Sequence, residues 1–249
     1  MTSRLKNSIK ELYETFEKYH SNLNMNGSPN YSDLDHWNKI LFSKPLTDLN
    51  EDDLSRFTGK AITTWGNAND FKHFLPRIFE LTAELRIPYE IWIAFDKLTL
   101  AEWNNWTEKE QKVIHEFMIA LWESIVNDNN EKAEWEFKAY FSAIAHFYPN
   151  FTDLLNIWTE SESKAGIKHL SEFLVDEQTA IFERKKISGF HDKKENAEEF
   201  ITWILSDMML NKVQQKYFEF ESESFADKIS WAEQIIITER KKYDTQHRL

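Results

Sequence analysis

Ionisable side chains recur at helical spacing between residues 70 and 84. They are Asp70, His73, Arg77, Glu80 and Glu84. Steps of three and four residues place such side chains along one edge of a helix. This edge could be a polar recognition site in which Arg77 anchors an anion or a carboxylate and Asp70 and His73 are its partners. The alternative is a solvated face, whose ion pairs contribute about 0.3–0.5 kcal/mol each.

Aromatic residues make up 15% of the chain, with 10 Trp and 19 Phe. Rigid aromatic side chains dominate binding hot spots, so some of these rings could line a concave groove for a peptide or another ligand. The candidates for such a groove are Trp65, Trp92, Trp103 and Trp106. The alternative is packing between helices, which we expect for most of the ten Trp. Trp103 and Trp106, on either side of two asparagines at a predicted helix boundary, fit both interpretations equally.

The histidines give little support for a metal site. Glu17-Lys-Tyr-His20 is a single Glu-x-x-His motif, whereas a carboxylate-bridged metal bundle needs two on separate helices. His146 is predicted to be a core histidine whose ring nitrogens find backbone partners, with a buried base or ligand as the alternative. His115, His169 and His191 are predicted to be surface residues. We therefore expect no bound metal.

Composition excludes several classes of function. The chain has 5 glycines in 249 residues and lacks the G-x-x-x-x-G-K-[ST] and G-x-G-x-x-G motifs, so no backbone loop is expected to cradle a phosphate. The absence of cysteine excludes a thiolate metal site and a cysteine nucleophile. The net charge of −12 opposes binding to nucleic acid and favours a basic protein partner through electrostatic steering.

The sequence has neither a membrane-spanning pattern nor a secretory signal. No window approaches 18 uninterrupted apolar residues, and no apolar stretch follows the basic residues at the N-terminus. We therefore expect a cytoplasmic protein with no membrane partner. No motif for a cofactor is present, so none is expected.

Capping signals mark the start of three predicted helices. Asn50 precedes an acidic first turn, Asn67 follows a glycine, and Thr107 opens a capping box that Glu110 completes. The helix after Asn67 is predicted to run from residue 70 to residue 85. Pro76 interrupts it, because proline lacks a backbone donor and clashes with the preceding turn, so the helix must kink there or a new helix must begin.

About ten helices with short links account for the chain. A helix is predicted from Pro88 to Leu98, and two long helices, 195–220 and 224–243, follow a polar loop at 188–194. Three boundary signals lie about 41 and 42 residues apart, as in helix-pair repeats. We therefore predict one all-α domain over residues 1–249. Its helices would form a multihelical array like an α-solenoid, a HEAT- or armadillo-like α-α superhelix.

One segment resembles a known group of proteins. Thr63-Thr-Trp-Gly66 and the stretch Asp70-Phe-Lys-His-Phe-Leu-Pro-Arg-Ile-Phe-Glu-Leu81 look like a signature of uncharacterised bacterial proteins, and Trp103-Asn-Asn-Trp106 continues it. The resemblance covers about residues 60–125. It implies a bacterial, intracellular origin and carries no mechanism.

These observations favour a non-enzymatic intracellular protein-interaction module. One alternative is a base glycosylase on a helical-repeat scaffold, with Asp70 beside aromatic residues in a basic groove. A toxin-neutralising immunity protein is a second, and a small-molecule carrier with an apolar cavity is a third. The residues predicted to bind a ligand or partner are Trp65, Asp70, His73, Arg77, Trp103 and Trp106.

Overall fold

The computed structural model describes residues 1–87, 89–187 and 193–246. Within these ranges the chain is an all-α multihelical array of twelve α-helices with no β-strand, which confirms the predicted fold class. Two isolated bridges, Gly27 with Trp65 and Ala61 with Trp65, are the extended pairings found there. The superhelical arrangement of an α-solenoid stays a prediction.

The residues group into two compact units, Met1–Leu121 and Trp122–Leu249. Each unit has its own set of buried aromatic and aliphatic side chains. That the whole chain, residues 1–249, folds as one domain stays a prediction. No helix within the described ranges is both long enough and apolar enough to cross a membrane.

The first unit is built from α1 to α5 and most of α6. Their bounds are α1 Ser3–Phe16, α2 Leu34–Leu41, α3 Glu51–Lys60, α4 Ala68–Ala83, α5 Ile91–Leu100 and α6 Glu108–Val126. All three predicted caps are confirmed, because Asn50, Asn67 and Thr107 each accept a backbone N–H from the residue three positions on. The predicted start at Pro88 lies outside the described residues.

Helix α4 continues through Pro76, so the alternative that a new helix begins there is wrong. A proline inside a helix costs about 3 kcal/mol. Burial of a single Phe, Leu or Ile side chain recovers about 1.5–3 kcal/mol. Six such side chains of α4 are buried: Phe71, Phe74, Leu75, Ile78, Phe79 and Leu81. The apolar face therefore outweighs the proline and keeps α4 in one piece.

The second unit contains six further helices after the end of α6. Their bounds are α7 Glu131–Phe147, α8 Phe151–Glu160, α9 Lys164–Gln178, α10 Lys194–Ile204, α11 Asp207–Glu219 and α12 Ala226–Gln246. A π-helical turn, Thr179–Glu183, extends α9. The predicted single helix over 195–220 is wrong: Ser206 Oγ accepts the N–H of Met209 and caps α11. Most of the predicted polar loop, residues 188–192, lies outside the described residues.

Two of the predicted surface histidines are packed against rings. His169 is 2% exposed, stacks on Phe137 at 4.3 Å between ring centroids, and its Nε2 donates to the Asp128 carbonyl at 3.0 Å. His115 is half-buried with its ring centroid 5.1 Å from that of Trp103. The surface prediction is therefore wrong for His169, whereas the half-buried His115 remains partly exposed. His191 lies outside the described residues.

Candidate functional site

The first unit contains a pocket of about 430 Å³, a volume typical of small-ligand sites. Tyr13, Phe16 and Tyr19 line it with aromatic rings from α1 and the turn that follows. Leu46 and Pro76 add aliphatic surface, the second of these from the middle of α4. The walls therefore offer large apolar contacts to a ligand.

The ionisable side chains on the pocket lining are carboxylates, tyrosines and histidines. Glu14 and Glu17 are exposed carboxylates on its lining. Glu14 lies 3.4 Å from Lys10 Nζ, but both side chains are mostly exposed, and such ion pairs are weak. Burial lowers the pKa of His73, which favours the neutral form of that ring. His20 also lines the pocket, whose lining residues, all within the described ranges, include no lysine or arginine.

The turn after α1 fixes the inner side of the pocket. The helix ends at Phe16, and the N–H of Tyr19 donates to the Phe16 carbonyl at 3.0 Å. The Tyr19 carbonyl in turn accepts from His73 Nδ1 at 3.0 Å, which ties the turn to α4. The His73 ring stacks near Phe42 and meets Phe74 edge-on, with centroids 6.2 and 4.6 Å away. The position of His73 is thus set on both faces of its ring.

Arg77 is buried and forms its hydrogen bonds within the chain. It is 8% exposed, its Nε donates to the Leu49 carbonyl at 2.7 Å, and one terminal nitrogen donates to Glu80 Oε2 at 2.5 Å. The Tyr13 hydroxyl donates to the same Glu80 oxygen at 2.6 Å. Burial and this hydrogen bond to Glu80 raise the pKa of Tyr13. Arg77 and Glu80 are therefore packed and paired, and the prediction of a solvated face does not hold for them.

Asp70 completes the cap of α4. Its carboxylate accepts the N–H of Asn67 at 2.9 Å and the hydroxyl of Ser21 at 2.6 Å. Gly66 adopts a positive φ of 66°, and a Cβ there would lie 3.0 Å from the Asp70 Cβ. The tight turn before α4 therefore depends on a glycine and on this carboxylate.

The predicted tryptophans are packed within the first unit. Trp65 is 1% exposed, and its Nε1 donates to Asn38 Oδ1 at 2.9 Å. Trp103 is buried. Trp106 is half-buried, and its Nε1 donates to the Ala101 carbonyl at 2.9 Å. The indole N–H groups of Trp65 and Trp106 are thus satisfied inside the fold, as expected for packing tryptophans.

Of the six predicted site residues, all of which the structure describes, His73 lines the 430 Å³ pocket and the other five do not. A contact of any of these five with a partner stays a prediction. Those five are Trp65, Asp70, Arg77, Trp103 and Trp106.

A buried ion cluster beside the pocket was missed by sequence reasoning. Glu110 is 1% exposed and accepts from the Tyr19 hydroxyl at 2.5 Å, from Lys18 Nζ at 2.9 Å and from the Thr107 N–H at 3.0 Å. Lys72 Nζ lies 3.5 Å from Glu110 Oε2, the same oxygen that accepts the Thr107 N–H. Burial alone would raise the pKa of Glu110, but these donors and cations lower it to about 2.

Lys72 is the buried cation of this cluster. Its Nζ lies 4.0 Å from the centroid of the Trp106 ring and 3.0 Å from the Tyr19 hydroxyl. Burial lowers the pKa of Lys72, and the attraction of Glu110 opposes that shift. The capping box at Thr107 was the feature of the sequence that drew attention to Glu110. It identified this residue as part of a helix cap and not as the centre of an ion cluster.

The described residues contain no group of three or more His, Cys, Asp and Glu side chains placed to hold a metal ion. Glu17 and His20 of the sequence motif both line the pocket. Comparison with family models, with curated proteins and with solved structures found no match to this chain.

Proposed function

We propose that this protein is a non-enzymatic interaction module that binds a basic segment of a protein partner and takes one of its cationic side chains into the 430 Å³ pocket. The observation that carries the proposal is the pairing of aromatic walls with the carboxylates of Glu14 and Glu17 on a lining that includes no lysine or arginine. Rings attract a cation through their faces, and carboxylates add charge-assisted hydrogen bonds.

The charge of the whole chain supports the same partner. A net charge of −12 accelerates encounter with a basic surface and disfavours nucleic acid. A bacterial, cytoplasmic setting is part of this proposal and rests on the resemblance of residues 60–125 and on composition. A toxin-neutralising immunity protein would use the same recognition chemistry, with a basic toxin as the partner.

The glycosylase and carrier hypotheses receive less support. A glycosylase needs an aspartate available beside aromatic residues, whereas Asp70 accepts hydrogen bonds from Asn67 and Ser21 at the cap of α4. A carrier needs an apolar cavity, whereas the pocket has two carboxylates on its lining.

A titration with a hexa-arginine peptide tests the proposal. The ring signals of His20 and His73 report on the pocket in a proton–nitrogen NMR spectrum, and we expect both to shift with saturation. A hexa-glutamate peptide should not shift the ring signals of either histidine. Because the whole chain is acidic, the test must show that the peptide binds at the pocket and not to the overall negative charge. Glu17→Gln should weaken peptide binding about fivefold. Glu11→Gln, which removes an exposed carboxylate of α1 outside the pocket, should change the affinity for the peptide less than twofold.

Two results would contradict the proposal. One is saturation by the peptide with no shift of either histidine ring. The other is an equal loss of affinity in the two variants, since that would mean binding to the overall negative charge.

A further inference from the structure

A second pocket, of about 170 Å³, lies in the second unit. Among the residues that the structure describes, the charged ones on its lining are all basic. They are Arg184, Lys185, Lys186, Lys193 and Lys194. Ile187 and Ala197, both buried, are the other described residues on the lining. Glu183 and Glu195 flank these cations in sequence but do not line the pocket.

These five cations differ from several other basic residues of the same unit. Lys138 pairs with Glu177, Lys168 with Glu134, and Lys212 and Lys216 with Glu162. By contrast, none of the five pairs with a carboxylate among the residues that the structure describes. The chain has 42 Asp and Glu against 30 Lys and Arg, so partners for cations are abundant. Five cations that converge on one small pocket without such a partner concentrate positive charge there.

Their position carries an electrostatic cost. Helix α10 begins at Lys194, and its N-cap residue Lys193 makes no side-chain cap. The N-terminus of a helix bears a partial positive charge, so cations are unfavourable there and anions are favourable. Lys185 adds a strained backbone, with a φ of 51°. An anion in the pocket would offset the repulsion among the side chains and the helix terminus together.

We propose that this pocket binds the diphosphate group of a soluble phosphorylated ligand. Lysine and arginine are the side chains that bind phosphate, and five of them match a group that carries several negative charges. Pockets that enclose a whole drug-sized ligand measure about 300–1,000 Å³. A volume of about 170 Å³ therefore takes the ionic group and leaves the remainder of the ligand outside. This site uses side chains, so it does not need the glycine loop that the sequence lacks, and it is independent of the cation-binding pocket.

Calorimetric titration of the full chain with sodium pyrophosphate tests this site, at constant ionic strength and without divalent metal. We expect saturable binding of one pyrophosphate per chain. Lys193→Gln/Lys194→Gln should weaken it at least about tenfold. Lys109→Gln/Lys112→Gln is the matched control, because it removes two exposed lysines near the start of α6 outside the pocket. The affinity of this variant for pyrophosphate should stay within twofold of that of the unsubstituted chain.

A parallel titration with ADP separates two sources of the diphosphate. Tighter binding of ADP assigns the group to a nucleotide, and tighter binding of pyrophosphate assigns it to a free inorganic ligand; either result supports the site. Arg184→Gln/Lys186→Gln gives a second test from the other side of the pocket. The proposal is overturned if pyrophosphate shows no saturable binding up to millimolar concentration, or if the control weakens it as much as the pocket variants do.

Discussion

The two pockets handle charge in opposite ways. Beside the pocket of the first unit, the buried charges are paired within the chain, Lys72 with Glu110 and Arg77 with Glu80. The carboxylates on its lining are exposed. In the second unit, the 170 Å³ pocket gathers five cations that pair with no carboxylate in the described part of the chain. The contrast indicates that buried, paired charges hold this fold together and that unpaired charges are available to ligands.

The difference has an energetic basis. Removing one partner of a buried pair leaves an uncompensated charge in a poorly solvated place, which costs several kcal/mol. Removing one of several like charges at a surface relieves repulsion and costs little or nothing. Substitutions in the two regions should therefore change stability in opposite directions.

The largest effect is expected from Glu110→Gln. The amide keeps the volume but loses the charge that compensates Lys72 and Lys18, so the free energy of unfolding should fall by about 3–5 kcal/mol. Urea denaturation measures it. Glu108→Gln, an exposed residue of the same first turn, should stay within about 0.5 kcal/mol. If Glu110→Gln lowers the free energy of unfolding no more than Glu108→Gln does, the ion cluster does not stabilise the fold.

Acid should abolish most of the difference in stability between wild type and Glu110→Gln. The pKa of Glu110 is near 2 in the folded chain against 4.5 for an ordinary glutamate, so its contribution is complete above pH 4.5 and disappears as pH falls towards 2. A shift of this size corresponds to about 3 kcal/mol. The stability gap between wild type and Glu110→Gln, followed by urea denaturation at several pH values, should narrow over that window. A gap that stays constant would mean that charge is not its cause.

Arg77→Ala is expected to cost about 2–3 kcal/mol. It removes the donor to the Leu49 carbonyl and leaves Glu80 with Tyr13 alone. Arg86→Ala, which breaks exposed ion pairs with Glu51 and Glu84, should cost no more than about 1 kcal/mol. If thermal unfolding shows Arg77→Ala to be nearly neutral, the recognition edge proposed from its sequence spacing becomes the better interpretation.

The smallest effect has the opposite sign. Lys194→Gln removes a cation from the first position of α10, so the chain without added anion should gain about 0.3–1 kcal/mol. Differential scanning calorimetry in a chloride buffer measures the gain. A loss of stability would show that Lys194 is held by favourable contacts, and the contrast between the two regions would fail.

Local signals predicted the helices well. The caps at Asn50, Asn67 and Thr107 depend on residues three positions apart, so the sequence alone contains them. The break at Ser206 depends on the same chemistry, but the continuous helical periodicity on both sides concealed it. Helix α1 ends at Phe16, and the turn after it is fixed by a contact with α4 that no local signal in the sequence shows.

The sites were much less predictable. The 430 Å³ pocket arises where the chain after α1 returns against α4, and no spacing within either segment encodes that contact. The stripe from Asp70 to Glu84 has helical spacing, but packing decides which of its members pair internally. The basic pocket joins residues 184–187 with 193–197, and the acidic composition of the whole chain concealed it.

Hydrogen–deuterium exchange with two probes of opposite charge tests the central claim most directly. The account predicts that hexa-arginine peptide protects the amides of residues 13–20 and 73–75, and that pyrophosphate protects those of residues 184–187 and 193–197. Protection of the same segments by both probes, or protection spread evenly over the chain, would contradict it.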